Sequence, residues 1–313
     1  MSDPSGLRER DLEVRGLRLH LRERGPEGGP VCVLLHGWLD SAASFDRLAP
    51  LFSAAGLRTL ALDLRGHGDS GWVGAGGFYH VAEYVADLDG VLDALGLAGA
   101  GGAGGAAPAS GAGGSAAPVR LVGHSLGATV ALLFAAARPE RVAHVALLDG
   151  LPIAVQPGEI PGRLTAYLSD LKGSRQRRAV SSLEQAAERV RKVSPLLSLD
   201  AALHLARTGI GPDLEQGGAL AWKWDPWLRA HSPMPLLEVA FQELLPQVTA
   251  PVLLLRAGAT WLPEEADLRA RLGGLRGPLT VETAEGTSHH LHVELPGLVA
   301  ARVLASWGRL PAS

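Results

Sequence analysis

Val119-Arg120-Leu121-Val122-Gly123-His124-Ser125-Leu126-Gly127-Ala128-Thr129-Val130 decides how the rest of the chain is read. Val119–Val122 is a short apolar run of the kind buried on both faces of a sheet, and an Ala/Leu-rich helical stretch, Leu126–Ala137, follows at once. Between them, Gly123-His124-Ser125-Leu126-Gly127 fits G-x-S-x-G in the strand-to-helix context that motif requires. Passing from strand to helix this tightly strains the middle residue, so its neighbours must be small. Glycines at 123 and 127 meet that demand, and Ser125 is pushed out at the carboxyl end of the strand. The helix starting at Leu126 points its unpaired N–H groups and positive dipole end at any negative charge developing there.

Outward from this turn, strand-like and helix-like segments alternate. Val31–Leu35, Leu57–Leu64 and Val142–Leu148 are further buried runs, and Leu12–Arg24 reads as two short strands around a turn at Arg15-Gly16. Ser44–Ala55 and Val81–Leu95 read as helices stopped by Gly56 and Gly96. Such repetition predicts an α/β fold, a mostly parallel sheet with helices on both faces. Two stretches interrupt it. Ala98–Pro118 holds only Ala, Gly, Ser and Pro, which cannot build a core and predicts a flexible surface loop. Leu151–Leu245 has helical periodicity without strand-like runs. Alternation resumes with Pro251–Leu255, a helix around Glu264–Leu272, a strand at Leu279–Thr283 and a last helix near Leu298–Trp307. The expected organisation is a core of 1–150 and 246–313 carrying a helical cap insertion, 151–245.

Composition narrows the function classes. The 313 residues are 47% hydrophobic and 19% charged, with 29 Lys+Arg against 32 Asp+Glu and a net charge of −3. A basic nucleic-acid binder and a disordered chain are both excluded by that balance. The single cysteine, Cys32, rules out an internal disulfide, and no Cys/His group has zinc-site spacing. No signal peptide is read at Met1–Gly6, and the apolar stretch after Ser125 is too short to span a bilayer, so the expected location is cytoplasmic. No nucleotide or phosphate cradle is read, so neither cofactor nor metal is expected. Oligomeric state is not legible.

A serine hydroxyl needs a general base. Among 11 histidines the best placed is His289, in Gly286-Thr287-Ser288-His289-His290-Leu291-His292, on the loop between the last strand and last helix. His292 is the runner-up and His290 comes third; capping and packing are their structural alternatives. His36-Gly37-Trp38 ends the first buried run, so the backbone N–H groups of Trp38 and Leu126 are placed to converge on one oxyanion.

His36-Gly37-Trp38, Asp63-Leu64-Arg65-Gly66-His67-Gly68-Asp69-Ser70, Gly123–Gly127 and Ser288-His289…Glu294-Leu295-Pro296 together resemble the α/β-hydrolase superfamily over nearly the whole chain. Trp224-Asp225-Pro226-Trp227-Leu228-Arg229, Ala250–Arg256 and the histidine-rich 288–292 segment are similar to the serine-hydrolase-like subgroup. The resemblance implies the α/β-hydrolase fold, Ser125 as nucleophile, His289 as base and the Trp38 and Leu126 amides as oxyanion donors. It makes Asp63 and His67 structural. Haloalkane dehalogenases and epoxide hydrolases share the fold but use an aspartate nucleophile, so Ser125 points away from both.

The chain departs from the family at the third member of the triad. The usual Gly-x-x-Asp reads Gly258-Ala259-Thr260-Trp261, with Trp where the carboxylate belongs. Some members carry the acid one strand earlier, and Asp149 in Leu147-Leu148-Asp149-Gly150 fits that placement, with capping of the next turn as its alternative. Glu264 or Glu265 is the fallback acid, and a dyad without an acid is the third option.

Loops at the carboxyl ends of the strands build the site in open α/β sheets. Trp222, Trp224 and Trp227, with Trp38 and Trp261, either form an apolar acyl pocket or hold the cap to the body. Lys172–Arg178, with four basic residues in seven, reads as a solvated cap surface. The expected function is serine hydrolysis of a small or medium acyl compound, foremost a carboxylic ester, through an acyl-enzyme. C–C bond hydrolysis or acyl transfer by the same residues and a non-catalytic scaffold with a degenerate triad are the alternatives.

Overall fold

The structure, a computed structural model, describes residues 6–308 except 75, 98–116, 174–175 and 214–216. Strands β1 (Arg8–Val14), β2 (Leu17–Arg24), β3 (Val31–Leu35), β4 (Arg58–Leu62), β5 (Val119–His124), β6 (Val142–Leu148), β9 (Val252–Ala257) and β10 (Leu279–Ala284) form one sheet in the order β1-β2-β4-β3-β5-β6-β9-β10. Pairs from β4 to β10 are parallel, and β2 pairs antiparallel with both β1 and β4. The β1–β2 connection has only Arg15 and Gly16 between paired residues, at φ 52° and 75°. Two consecutive positive φ values are what a two-residue hairpin needs to match strand twist. β1 starts at Arg8, earlier than its apolar pattern predicts, because Arg8–Asp11 form an exposed charged edge. Charge on an edge strand discourages pairing with another chain.

The continuous apolar runs follow from burial on both faces. Val31, Val33 and Leu35 of β3 enter one core with Val252 and Leu254 of β9; Cys32 and Leu34 enter another with Leu253 and Leu255. Period-two alternation thus sends neighbouring residues to opposite layers. Helices α2 (Val81–Ala94), α3 (Leu126–Ala137) and α8 (Glu265–Arg271) supply the first core, with Leu88, Val91, Phe134 and Leu268. Helices α1 (Ala49–Ala54) and α10 (Pro296–Ser306) close the other face through Phe52, Val299 and Val303. The helix expected over Ser44–Ala55 is a 3-10 turn, Ala42–Phe45, followed by α1, with Pro50 in the first turn of α1. Proline is tolerated there and would break a longer helix.

Between β6 and β9 the chain carries α4 (Ile160–Asp170), α5 (Leu183–Val193), α6 (Leu199–Gly209) and α7 (Glu238–Leu244). It also carries a strand pair that the helical reading of Leu151–Leu245 missed: β7 (Ile210–Asp213) pairs antiparallel with β8 (Ala219–Trp222). Four-residue strands, one of them Ile-Gly-Pro-Asp, are too short to carry a legible period. The Ala98–Pro118 loop and Ser174–Arg175 of the basic run lie outside the described residues, apart from Ala117 and Pro118. Among the described residues no helix is long and apolar enough to cross a membrane.

Candidate active site

Ser125 sits between β5 and α3 at φ 51°, ψ −110°, and its amide donates to the Leu148 carbonyl at 3.1 Å. Non-glycine residues rarely adopt such a conformation, and one costs about 1–3 kcal/mol where surrounding structure enforces it. The enforcement is steric. A Cβ at Gly127 would meet the Leu35 carbonyl oxygen at 2.0 Å, and one at Gly123 would meet Gly127 backbone at 2.2 Å. Only glycine lets helix, strand and turn close to that distance.

Asp149 follows β6, beside the serine turn, and is wholly buried. Oδ1 accepts from the Ala257 amide at 2.9 Å and from Thr260 Oγ1 at 2.5 Å; Oδ2 lies 2.7 Å from His289 Nδ1. A carboxylate oxygen only accepts, so Nδ1 carries the imidazole proton and Nε2 is left basic. Glu264 is exposed and faces Arg256, while Glu265 pairs with Arg269, so neither fallback acid meets His289. Thr260 is the contact that the motif reading passed over. The loop after β9 lacks the usual carboxylate but still serves the acid, donating its threonine hydroxyl to Asp149.

His289 reaches this position from the edge strand β10 through a loop pinned to its neighbour. The Ala259 amide donates to the Thr287 carbonyl and the Gly258 amide to Ala284. His124 Nε2 lies 2.7 Å from the His289 carbonyl, and the two rings are 4.7 Å apart. Ser125 and His289 share no hydrogen bond among the described residues, and the Trp38 and Leu126 amides donate to no protein acceptor there. His290 meets Ser194 through Nδ1, and His292 is fully buried against Phe45 and His124. Burial, with neighbouring imidazoles, holds His124 and His292 well below the ordinary histidine range and brings His290 down to about 3. These three rings are therefore neutral at physiological pH.

His36 accepts from the Leu64 amide and contacts the Gly37 carbonyl, tying the loop after β3 to the end of β4. Asp63 accepts from the amides of Ala42 and Asp69, and His67 contacts the Arg65 carbonyl. All three organise loops.

Two cavities meet at Trp38 and Arg229. One, of about 440 Å³, is lined by Ser125, Leu126, Trp38, Trp261, Leu151 and Met234. The other, of about 460 Å³, is lined by Trp222, Asp40 and His290, and by the cations Arg178, Arg189, Lys192, Lys223 and Arg229. The tryptophans fall into two groups. Trp224 and Trp227 are buried in the main core, where Asp225 donates its amide to the Gly66 carbonyl and accepts from Tyr79, fastening the inserted segment. Trp38 and Trp261, about half exposed, face the serine cavity.

The sequence profile of the alpha/beta hydrolase family matches residues 32–302. A serine hydrolase-like protein of Danio rerio is 27% identical over 294 residues, covering 88% of this chain and 81% of the fish protein. Epoxide hydrolase B of Mycobacterium tuberculosis is 36% identical over 138 residues, 44% of this chain but only 33% of that enzyme's length. A hypothetical protein of Pseudomonas aeruginosa PAO1 is 31% identical, with a TM-score of 0.80 over 96% of this chain and 99% of its own. The thioesterase domain from the curacin biosynthetic pathway is 26% identical, with a TM-score of 0.79 over 95% of this chain and 99% of its own. With that profile, an eight-stranded sheet reversed only at β2 and a strained serine turn on β5, the chain belongs to the alpha/beta hydrolase family.

Proposed function

We propose that the protein is a serine hydrolase that cleaves a carboxylic ester of a small or medium acyl group. The observation that carries the reading is the Asp149–His289 pair, whose acid has its other oxygen held by the Ala257 amide and the Thr260 hydroxyl. In this reading Ser125 Oγ attacks the carbonyl carbon and passes its proton to His289 Nε2. The Trp38 and Leu126 amides hold the tetrahedral oxyanion, each such donor typically contributing about 3–4 kcal/mol. His289 then protonates the departing alkoxide, the C–O bond breaks, and an acyl-serine remains. Water, deprotonated by the same nitrogen, attacks that acyl carbon and returns Ser125 with the free acid. The Ser125–His289 hydrogen bond closes when substrate binds, as such contacts commonly tighten only in the complex. Residues 151–245 serve as the cap over a core of 1–150 and 246–313, with cytoplasmic function as the expected setting. Ser125, where epoxide hydrolases use aspartate, argues against their chemistry despite the sequence likeness.

A thioester is the second reading. Five cations line the chamber beside the serine cavity, and the likeness to a thioesterase domain supports a leaving group that carries negative charge. A fluorophosphonate probe tests the nucleophile: labelling is expected in the wild type and lost in Ser125→Ala and His289→Ala. An unlabelled wild type would favour the scaffold alternative. Hydrolysis of p-nitrophenyl esters against coenzyme A thioesters of matched acyl length then separates the two readings.

A further inference from the structure

A buried site next to the serine turn holds two polar atoms that have no partner among the described residues. His124 Nε2 bonds to the His289 carbonyl; a carbonyl only accepts, so that nitrogen is the protonated one and His124 Nδ1 bears a lone pair. His124 is 1% exposed, and its Nδ1 has no partner among the described residues. Asp40 Oδ2 is likewise buried and unpartnered. Asp40, His124 and His290 each offer one ligand atom within 4.8 Å of the other two. His290 Nδ1 is engaged by Ser194 Oγ, which leaves Nε2 as its free nitrogen.

We propose that Asp40 Oδ2, His124 Nδ1 and His290 Nε2 form a site for one divalent transition-metal ion of the zinc class. Two imidazoles and one carboxylate suit such an ion, with its remaining position left to water. The outer contacts have the pattern of metal-bound histidines, whose second ring nitrogen is held by a carbonyl or other polar group. His124 has the His289 carbonyl in that role, and His290 has Ser194. Space for the ion depends on Gly37, where a Cβ would stand 2.9 Å from His124 Nδ1. Asp40 and His290 line the 460 Å³ cavity, which provides entry. Two imidazole donors favour a transition-metal ion over Mg²⁺ and Ca²⁺, which are held by oxygen ligands. A second acidic group, His20, Asp63 and Asp69, lacks this character, because Asp63 already accepts two amides and Asp69 pairs with Lys223.

On the hydrolase reading, occupancy is inhibitory. The ion joins the loop after β3 to the serine turn, and through His124 it pins the His289 loop in the arrangement that lacks the Ser125–His289 bond.

The test uses the full chain freed of metal with a chelator and titrated with Co²⁺. Visible bands of a low-coordinate site are expected to saturate at one equivalent, to be displaced by Zn²⁺ and to be untouched by excess Mg²⁺. Asp40→Asn and His290→Gln are each expected to weaken binding about 100-fold or more, and Ser194→Ala about 10–100-fold. Cys32→Ala and Asp69→Asn are expected to bind as the wild type does. Lack of stoichiometric bands, or bands unchanged in both Asp40→Asn and His290→Gln, would overturn the site. Fluorophosphonate labelling that is undiminished at saturating Zn²⁺ would overturn the inhibitory consequence alone, because the Co²⁺ spectrum decides the site itself.

Discussion

Replacing Asp149 by asparagine changes one atom and is expected to remove nearly all turnover, for a reason set by its neighbours. Oδ1 accepts from two donors, the Ala257 amide and the Thr260 hydroxyl. The asparagine must therefore keep its carbonyl oxygen on that side, because turning its NH₂ there would face two donors in a fully buried site. Its NH₂ then points at His289 Nδ1 and donates to it. The imidazole proton is driven to Nε2, the nitrogen that should receive the serine proton. A base held in the wrong tautomer loses roughly 10³- to 10⁴-fold in kcat, equivalent to about 4–5.5 kcal/mol of barrier. Steady-state hydrolysis of p-nitrophenyl butyrate, with thermal melting to show that the variant folds, measures this directly. A folded Asp149→Asn retaining more than a tenth of wild-type kcat would refute the tautomer argument.

The remaining expectations follow from particular contacts. Thr260→Val removes one of two donors to Asp149 Oδ1 and should lower kcat about tenfold with little change in KM, read in the same ester assay. Relief of strain at φ 51° should leave Ser125→Gly more stable than Ser125→Ala by about 1 kcal/mol in urea unfolding, the gain being trimmed by glycine's greater unfolded-state entropy. Gly127→Ala should fail to give folded protein, whereas Gly162→Ala, in α4 with nothing near its added methyl, should gain roughly 0.5–1 kcal/mol. His204 of α6 is raised above the usual histidine value, chiefly by its hydrogen bond to Asp46. That stabilisation is complete below about pH 6.5 and is lost as pH rises through the folded-state value, so melting followed from pH 6 to 9 should fall more steeply in the wild type than in His204→Gln.

The parallel sheet was legible because burial on both faces writes itself as uninterrupted Val/Leu/Ala runs, and Ser125 because a tight turn demands glycines at fixed offsets. His289 is singled out by its place after the last strand, whereas Asp149 is reached only through the family resemblance, beside Glu264, Glu265 and a dyad without an acid. Thr260 was hidden, since its value lies in donating to a residue 111 positions away, and nothing local to Gly258–Trp261 records that. Asp40, His124 and His290 were equally hidden: ligand spacing is visible only when one segment supplies several ligands, and here three segments each supply one. The β7–β8 pair escaped because the Gly-Pro within β7 erases its alternation.

The meeting of Thr260 with Asp149 also limits what this corner of the protein accepts. The third residue after β9 touches a wholly buried carboxylate at the end of β6. A second anion at position 260 would repel Asp149 there, whereas a hydroxyl donates to it. Charge at one of the two positions thus dictates a neutral donor at the other.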